Sequence, residues 1–128
     1  MRFLLDTHTF IWADDNPETL SARATALIQD KENILLLSYA SVWEMQIKLQ
    51  LGKLAFSIPL SQKIQNQQQK NDLALLRIEL EHIFALDRLP NHHRDPFDRL
   101  LIAQAITERL PILSHDPIFA QYPVRVVW

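Results

Sequence analysis

The chain has 128 residues, of which 48% are hydrophobic and 22% charged, and its net charge is −2. This length and balance are typical of one soluble domain with one core, which we expect to span residues 1–128. Cysteine is absent, which excludes thiol catalysis, disulfides and cysteine-bound metals. Gly52 is the only glycine, which excludes glycine-rich phosphate loops and most nucleotide-dependent enzymes.

No apolar run approaches the roughly 20 residues that a membrane helix needs. A core strand that begins at Arg2 leaves no room for a signal peptide. We therefore expect a soluble, cytoplasmic protein. The net charge gives no overall attraction to nucleic acid, so binding of that kind would need local basic groups or a bound cation.

The first predicted strand runs directly into an acid. Phe3–Leu5 is a short apolar run without polar alternation, typical of a strand that is covered on both faces, and Asp6 follows it. Because the carboxyl ends of strands line the ligand crevice of an open α/β sheet, Asp6 is well placed for chemistry. Asp6 is equally suited to capping a helix that we predict over residues 7–12. Taken alone, the residue leaves both interpretations open.

A second buried strand is predicted at Ile34–Ser38, followed by a helix over residues 39–51. We expect one face of this helix, which carries Ala40, Trp43, Ile47 and Leu51, to be buried. Glu44 lies at the edge of that face. The simplest role for Glu44 is an ion pair with Lys48 at i,i+4, worth about 0.2–0.5 kcal/mol.

The other elements of the first two thirds of the chain carry no predicted chemistry. We predict a helix over about 19–31, an end to the following helix at Gly52, and a solvated polar helix over 62–72. A short strand within 73–78 and a helix over 79–88 complete this part.

Two Asp-Pro pairs mark the last third. Pro96 is suited to the first helical position, which makes Asp95 the N-cap and Asp98 the third helical residue, turned inward. A strand over 110–114 and a second cap at Asp116 follow, and residues 124–127 form a final strand. Alternating strands and helices predict an α/β sandwich with a mainly parallel sheet.

The predicted fold brings four acids to one end of the sheet: Asp6, Glu44, Asp98 and Asp116. Carboxylate oxygens around a crevice are the ligands that Mg²⁺ or Mn²⁺ prefers. Two such ions flanking a phosphodiester would activate water and steady the leaving oxygen. Each acid also has a purely structural interpretation as a cap or ion-pair partner, so spacing alone supports the metal site only as a hypothesis.

Four segments together resemble the PIN domain nucleases, in particular the VapC branch of toxins from bacterial type II toxin–antitoxin pairs. They are Leu4-Leu5-Asp6-Thr7, Val42-Trp43-Glu44, Asp98-Arg99-Leu100-Leu101-Ile102-Ala103-Gln104-Ala105 and Ile112-Leu113-Ser114-His115-Asp116. The resemblance implies a three-layer α/β/α domain, usually a homodimer, that cleaves RNA with Mg²⁺ or Mn²⁺. The ion would be held by Asp6, Glu44, Asp98 and Asp116, and a small antitoxin would keep the toxin inactive.

Further positions follow from the same resemblance. Thr7 and Ser114 match hydroxyl positions beside the first and last acids. Asp95 belongs to a block that marks one subgroup, and between the two acids of that block we assign the metal to Asp98 because of its inward face.

Basic and aromatic side chains carry weaker predictions. Lys48 and Arg99 are candidates for phosphate contacts and His115 for a substrate or proton role, although solvation is the commoner role of such residues. His92 and His93 are expected to be surface turn residues. Trp12, Trp43 and Trp128 are expected to pack in the core or at an interface.

Two other enzyme classes also place an acid after the first strand. A haloacid dehalogenase type of phosphatase needs a second Asp where this chain has His8, and a phospho-receiver needs an acidic pair that is absent. The alternative that stays open is an inactive PIN-like scaffold that binds RNA or protein without cutting.

Overall fold

The structure, a computed structural model, describes residues 1–128. The strands are β1 (Arg2–Leu5), β2 (Ile34–Ser38), β3 (Ala74–Leu76), β4 (Ile112–Leu113) and β5 (Val126–Val127). The α-helices are α1 (Thr7–Asp15), α2 (Ala22–Gln29), α3 (Tyr39–Gln50), α4 (Leu60–Asn71), α5 (Leu80–Ala85) and α6 (Pro96–Glu108). Short 3₁₀ helices cover Pro17–Thr19, Leu86–Arg88 and Pro117–Gln121. None of the helices combines the length and the apolar character that crossing a membrane would require.

The five strands form one sheet in the order β3-β2-β1-β4-β5, and every neighbouring pair is parallel. Successive side chains alternate across this sheet. Leu4 and Leu36 pack against α5 and α6, whereas Phe3 and Leu35 pack against α1, α2 and α4. One apolar core therefore lies between the sheet and the helices on each face, and this arrangement confirms the predicted α/β/α sandwich.

The strand order reverses at β1, which pairs with β2 on one side and with β4 on the other. Ligands of open α/β sheets bind beyond the carboxyl ends of the strands at such a reversal. Leu5 pairs with Leu113, so Asp6 and Ser114 are the next residues of two adjacent strands. The sheet register thus places these two side chains together.

The predicted buried face of α3 is wrong by about one position. Trp43 is 58% exposed and Leu51 61% exposed, whereas Glu44 and Met45 are buried. The helix is rotated because Ala40 and Met45 fill the two cores on either side of the sheet. Glu44, expected at the edge of the buried face, consequently lies within it.

Two other helices depart from prediction through polar contacts. The helix predicted to begin near residue 19 begins at Ala22, because the hydroxyl of Ser21 accepts a hydrogen bond from the Ala24 amide at 3.0 Å and caps it. In α4, which was expected to be solvated, Lys63 is only 2% exposed. Burial of Lys63 opposes its charged form, but its bonds to Asp15 and Asp14 outweigh this effect and raise its pKa.

Candidate active site

Asp6 caps α1 and is also almost fully buried, with 4% exposure. Its Oδ1 accepts a hydrogen bond from the Thr9 amide at 2.7 Å, and its Oδ2 accepts one from the Ser114 hydroxyl. Burial raises the pKa of Asp6 although both hydrogen bonds and His8 oppose the change. The carboxylate therefore lies in an environment that compensates its charge only in part.

Glu44 joins this group through the residue after Asp6. The Thr7 hydroxyl is 2.8 Å from Glu44 Oε1 and 3.0 Å from Ser41 Oγ. Lys48 Nζ donates to Glu44 Oε2 at 2.8 Å. The predicted ion pair within α3 is thus present, but it is one of two contacts that fix the buried carboxylate of Glu44, and the other comes from the residue that follows Asp6.

Asp98 lies at the start of α6, where Asp95 is the N-cap. Asp95 Oδ1 accepts hydrogen bonds from the amides of Phe97 at 2.9 Å and Asp98 at 3.0 Å, as predicted. Burial, followed by the charges of Asp95 and Glu44, raises the pKa of Asp98 to about 6, while His93 opposes the shift. Because Asp98 responds to the charge of Glu44, the two acids belong to one region of negative potential.

Asp116 is linked to Asp6 through Ser114. The Asp116 amide donates to Ser114 Oγ at 3.0 Å, and the Ser114 hydroxyl donates to Asp6. Asp116 also caps its 3₁₀ helix, since its Oδ1 accepts from the Ile118 amide at 3.0 Å. Asp6 and Asp116 share a cleft of about 250 Å³, which is lined by Asp6, His8, Trp12, His115, Asp116 and Pro117.

The basic side chains that the sequence suggested for phosphate or substrate contacts differ in what they touch. Lys48 touches Glu44, whereas the Arg99 Nη1 donates to the Pro90 carbonyl at 2.8 Å and to the Tyr122 hydroxyl at 3.2 Å. His115 is exposed at the cleft and its ring centroid is 5.4 Å from that of Trp128. Of the predicted basic candidates, only Lys48 contacts one of the four acids directly.

His93 was expected to be a surface turn residue; it lies in the irregular segment before α6, but it is only partly exposed and both of its ring nitrogens have hydrogen-bonding partners. Its Nε2 is 3.3 Å from Asp98 Oδ2 and its Nδ1 is 2.7 Å from the Tyr122 hydroxyl. The adjacent His92 is exposed, as expected. The only signal in the sequence is a histidine five positions before Asp98, because the contact with Tyr122 depends on tertiary packing.

The one group of three metal-ligand side chains whose ligand atoms lie close together contains none of the four predicted acids. Atoms of Glu81, His82 and Glu108 lie within 4.8 Å of one another. However, His82 Nδ1 accepts a hydrogen bond from the Glu79 amide at 3.0 Å, so Nε2 carries the proton that faces Glu108 at 3.2 Å. Neither ring nitrogen of His82 has a lone pair free for a metal ion.

A family model described as PIN domain matches residues 3–124 of the chain. The chain belongs to the PIN domain family. PIN domain nucleases are hydrolases that act on nucleic acids, so this membership assigns the chain to that class of enzyme. Among curated proteins, none matches the chain.

Solved structures share the fold at low sequence identity. A chain in the VapBC2 complex of Rickettsia felis, bound to a DNA fragment from its promoter, is 15% identical with a TM-score of 0.76, and the match covers 99% of this chain and 98% of that one. A chain of FitAcB from Neisseria gonorrhoeae is 18% identical with a TM-score of 0.67, covering 100% and 97%. A chain of the VapBC-5 toxin–antitoxin system of Mycobacterium tuberculosis is 18% identical with a TM-score of 0.62, covering 98% and 97%. These likenesses extend over the whole PIN domain.

The acids of this PIN domain have the donor chemistry of a hard divalent cation site. Asp6, Glu44, Asp98 and Asp116 offer carboxylate oxygens only, and Lys48 is the one lysine or arginine that forms an ion pair with any of them. The pKa values of Asp6 and Asp98 are both raised, chiefly by burial. A group of acids that is short of positive charge is suited to Mg²⁺ or Mn²⁺.

Proposed function

We propose that this PIN domain, comprising residues 1–128 as one unit, is an Mg²⁺- or Mn²⁺-dependent endoribonuclease of the VapC type. It would act as the toxin of a type II toxin–antitoxin pair. The observation that carries the proposal is the pair of acids Asp6 and Asp116, which Ser114 joins beyond the carboxyl ends of β1 and β4. Glu44 is bonded to Thr7, the residue after Asp6, and Asp98 is within electrostatic reach of Glu44. Three features support it: Thr7 and Ser114 each bond one of these acids, and few cations offset their charge.

The four acids Asp6, Glu44, Asp98 and Asp116 are the residues that would hold the ion. When bound, the ion supplies activation of water and neutralisation of phosphate charge. Thr7 and Ser114 orient the carboxylates of Glu44 and Asp6 by donating hydrogen bonds, and Lys48 fixes the second oxygen of Glu44. His115, exposed at the cleft, is a candidate contact for the RNA.

An antitoxin partner and a homodimer are parts of the same proposal. Similar chains occur in VapBC and FitAcB structures, and exposed apolar surface supports a protein partner here. A groove of about 550 Å³ is lined by Tyr39, Val42, Trp43, Gln46, Ile64, Leu75 and Ile78. Leu80, Ile83 and Phe84 form a further exposed apolar face on α5. Activity on cellular RNA would place the protein in the cytoplasm.

Cleavage of a mixed-sequence RNA by the purified, antitoxin-free protein tests the proposal. We expect cutting with Mg²⁺ or Mn²⁺, none with chelator, and no cutting of single-stranded DNA of the same sequence. Asp6→Asn should abolish cutting because a neutral amide replaces a carboxylate ligand. The matched control is Asp87→Asn, an exposed acid on the 3₁₀ helix Leu86–Arg88, which should retain full activity.

Other outcomes have definite meanings. Cutting that survives the chelator would contradict the metal dependence, and equal cutting of DNA would contradict the RNA specificity. Binding of RNA without cutting by the parent protein in any metal would favour the inactive scaffold.

A further inference from the structure

A chain of hydrogen bonds runs from the surface of α6 to Asp98. The Arg99 guanidinium is 3.2 Å from the Tyr122 hydroxyl, which is 2.7 Å from His93 Nδ1, and His93 Nε2 is 3.3 Å from Asp98 Oδ2. Tyr122 is only 4% exposed. The side chains of His93 and Asp98 are 19% and 23% exposed.

The donors and acceptors in this series of hydrogen bonds fix the direction in which each bond is donated. A guanidinium can only donate, so the Tyr122 oxygen accepts from Arg99 and its own proton is free to point at His93 Nδ1. An ionised carboxylate can only accept, so His93 Nε2 must carry the proton that faces Asp98. Each group thereby fixes the tautomer or rotamer of the next, and neutral His93 satisfies every contact.

We propose that His93, oriented by Tyr122 and Arg99, is a positioning residue that holds the Asp98 carboxylate in the orientation required to ligate the divalent ion. The proposal rests on the proposed function, since it assumes that Asp98 binds metal. His93 occupies Oδ2 of Asp98, which leaves Oδ1 for the ion.

The size of the effect follows from similar arrangements in metalloproteins. Hydrogen-bonding partners of metal-ligating groups are typically worth 10- to 100-fold in metal affinity or activity. The His93 contact is not a short bond, so we expect a loss at the lower end of that range.

Two substitutions of His93 distinguish its role as a hydrogen-bond donor to Asp98 from its contribution to packing. The side-chain nitrogen of Gln reaches the position of histidine Nε2, whereas that of Asn reaches only the position of Nδ1. His93→Asn should therefore weaken Mn²⁺ binding, measured by calorimetry, by about tenfold, and His93→Gln should restore most of it. Tyr122→Phe, which removes one oxygen from a buried ring, should also weaken Mn²⁺ binding. His92→Asn is the matched control, because His92 is exposed and contacts Tyr122 only through its ring, at 5.0 Å.

The outcomes distinguish the two proposals. Parent-like Mn²⁺ affinity in His93→Asn, or equal losses in the Asn and Gln variants, would overturn the positioning role while the nuclease proposal stands. If His93→Asn does not fold, parent-like binding by Tyr122→Phe would overturn it instead. Absence of Mn²⁺ binding by the parent protein would overturn both.

Discussion

Two histidine–carboxylate pairs in this protein have nearly the same geometry and different surroundings. His82 Nε2 is 3.2 Å from Glu108 Oε1, and His93 Nε2 is 3.3 Å from Asp98 Oδ2. In both pairs the other ring nitrogen is also hydrogen-bonded, to the Glu79 amide or to Tyr122. The pairs differ in what lies beyond the carboxylate.

In the His82 pair, both ring nitrogens of the histidine are used, one in the cap of α5 and the other in a contact with α6. His82 is fully buried at the start of α5, where its Nδ1 satisfies the amide of the N-cap residue Glu79. Its carboxylate partner Glu108 is about one third exposed, so water reaches the acid. Although these residues resemble a metal site by type and distance, they form a helix cap tied to the end of α6.

In the His93 pair, the carboxylate lies near other acids whose negative charge is only partly offset. Asp98 lies close enough to Asp95 and Glu44 for both to raise its pKa. Glu44 in turn accepts a hydrogen bond from Thr7, the residue that follows Asp6. The comparison teaches that two pairs with nearly the same ligand atoms and distances can lie in different electrostatic environments, and we expect a cation to favour the uncompensated charge around Asp98 over the satisfied pair at His82.

The largest expected effect is a difference in Mn²⁺ affinity between variants of Asp98 and variants of Glu108. Asp98→Asn should weaken Mn²⁺ binding by more than about 100-fold, because loss of a ligand should exceed the cost of losing a ligand's hydrogen-bonding partner. Glu108→Gln keeps an acceptor for His82 and should leave Mn²⁺ affinity unchanged. Calorimetric titration of both variants checks this prediction. A loss of affinity in Glu108→Gln alone would reverse the assignment of the two pairs.

A smaller effect is expected when His82 is removed. His82→Leu leaves the Glu79 amide without its acceptor and Glu108 without its donor, which should lower the free energy of unfolding by about 1–3 kcal/mol. Urea unfolding at neutral pH measures the change. Mn²⁺ affinity should remain that of the parent protein, and a loss of affinity in the folded variant would show that the Glu81, His82 and Glu108 cluster contributes to metal binding.

The parts of the fold that rest on local signals could be predicted from the sequence. The apolar run before Asp6 and the Asp95-Pro96 pair predicted a buried strand and a helix start, and the structure has both. These signals depend on adjacent residues, so they survive without knowledge of the tertiary packing. The neighbouring positions of Asp6 and Ser114 also follow from strand ends, because Leu5 and Leu113 pair in adjacent parallel strands.

Features that depend on tertiary contacts were not predictable in the same way. The buried face of α3 is set by how Ala40 and Met45 meet two different cores, which no single helical period encodes. Lys63 is buried because Asp14 and Asp15 of another helix neutralise it. His93 contacts a tyrosine 29 positions away. Lysine and histidine are usually exposed or partly exposed, and in Lys63 and His93 a specific distant partner outweighs that preference.

The smallest expected effect is the dependence of the metal-free protein on pH. The folded-state pKa of Asp98 is raised to about 6 from 3.8, so between about pH 4 and 6 the folded state binds more protons than the unfolded state. The stability that Asp98 contributes is therefore present at low pH and is lost as pH rises through about 6. Unfolding by urea in chelator should show Asp98 lowering the stability by about 1 kcal/mol between pH 5 and 7.5.

This pH dependence also distinguishes the two carboxylates. Asp98→Asn cannot ionise, so the decrease in stability between pH 5 and 7.5 should shrink in that variant, and Glu108→Gln should keep the decrease of the parent. Saturating Mn²⁺ at pH 7.5 should restore stability in the parent and in Glu108→Gln, because an ion that binds only the folded state stabilises it. An unchanged decrease in Asp98→Asn would mean that neither burial nor the neighbouring acids raise the pKa of Asp98, and the electrostatic contrast between the two histidine pairs would fail.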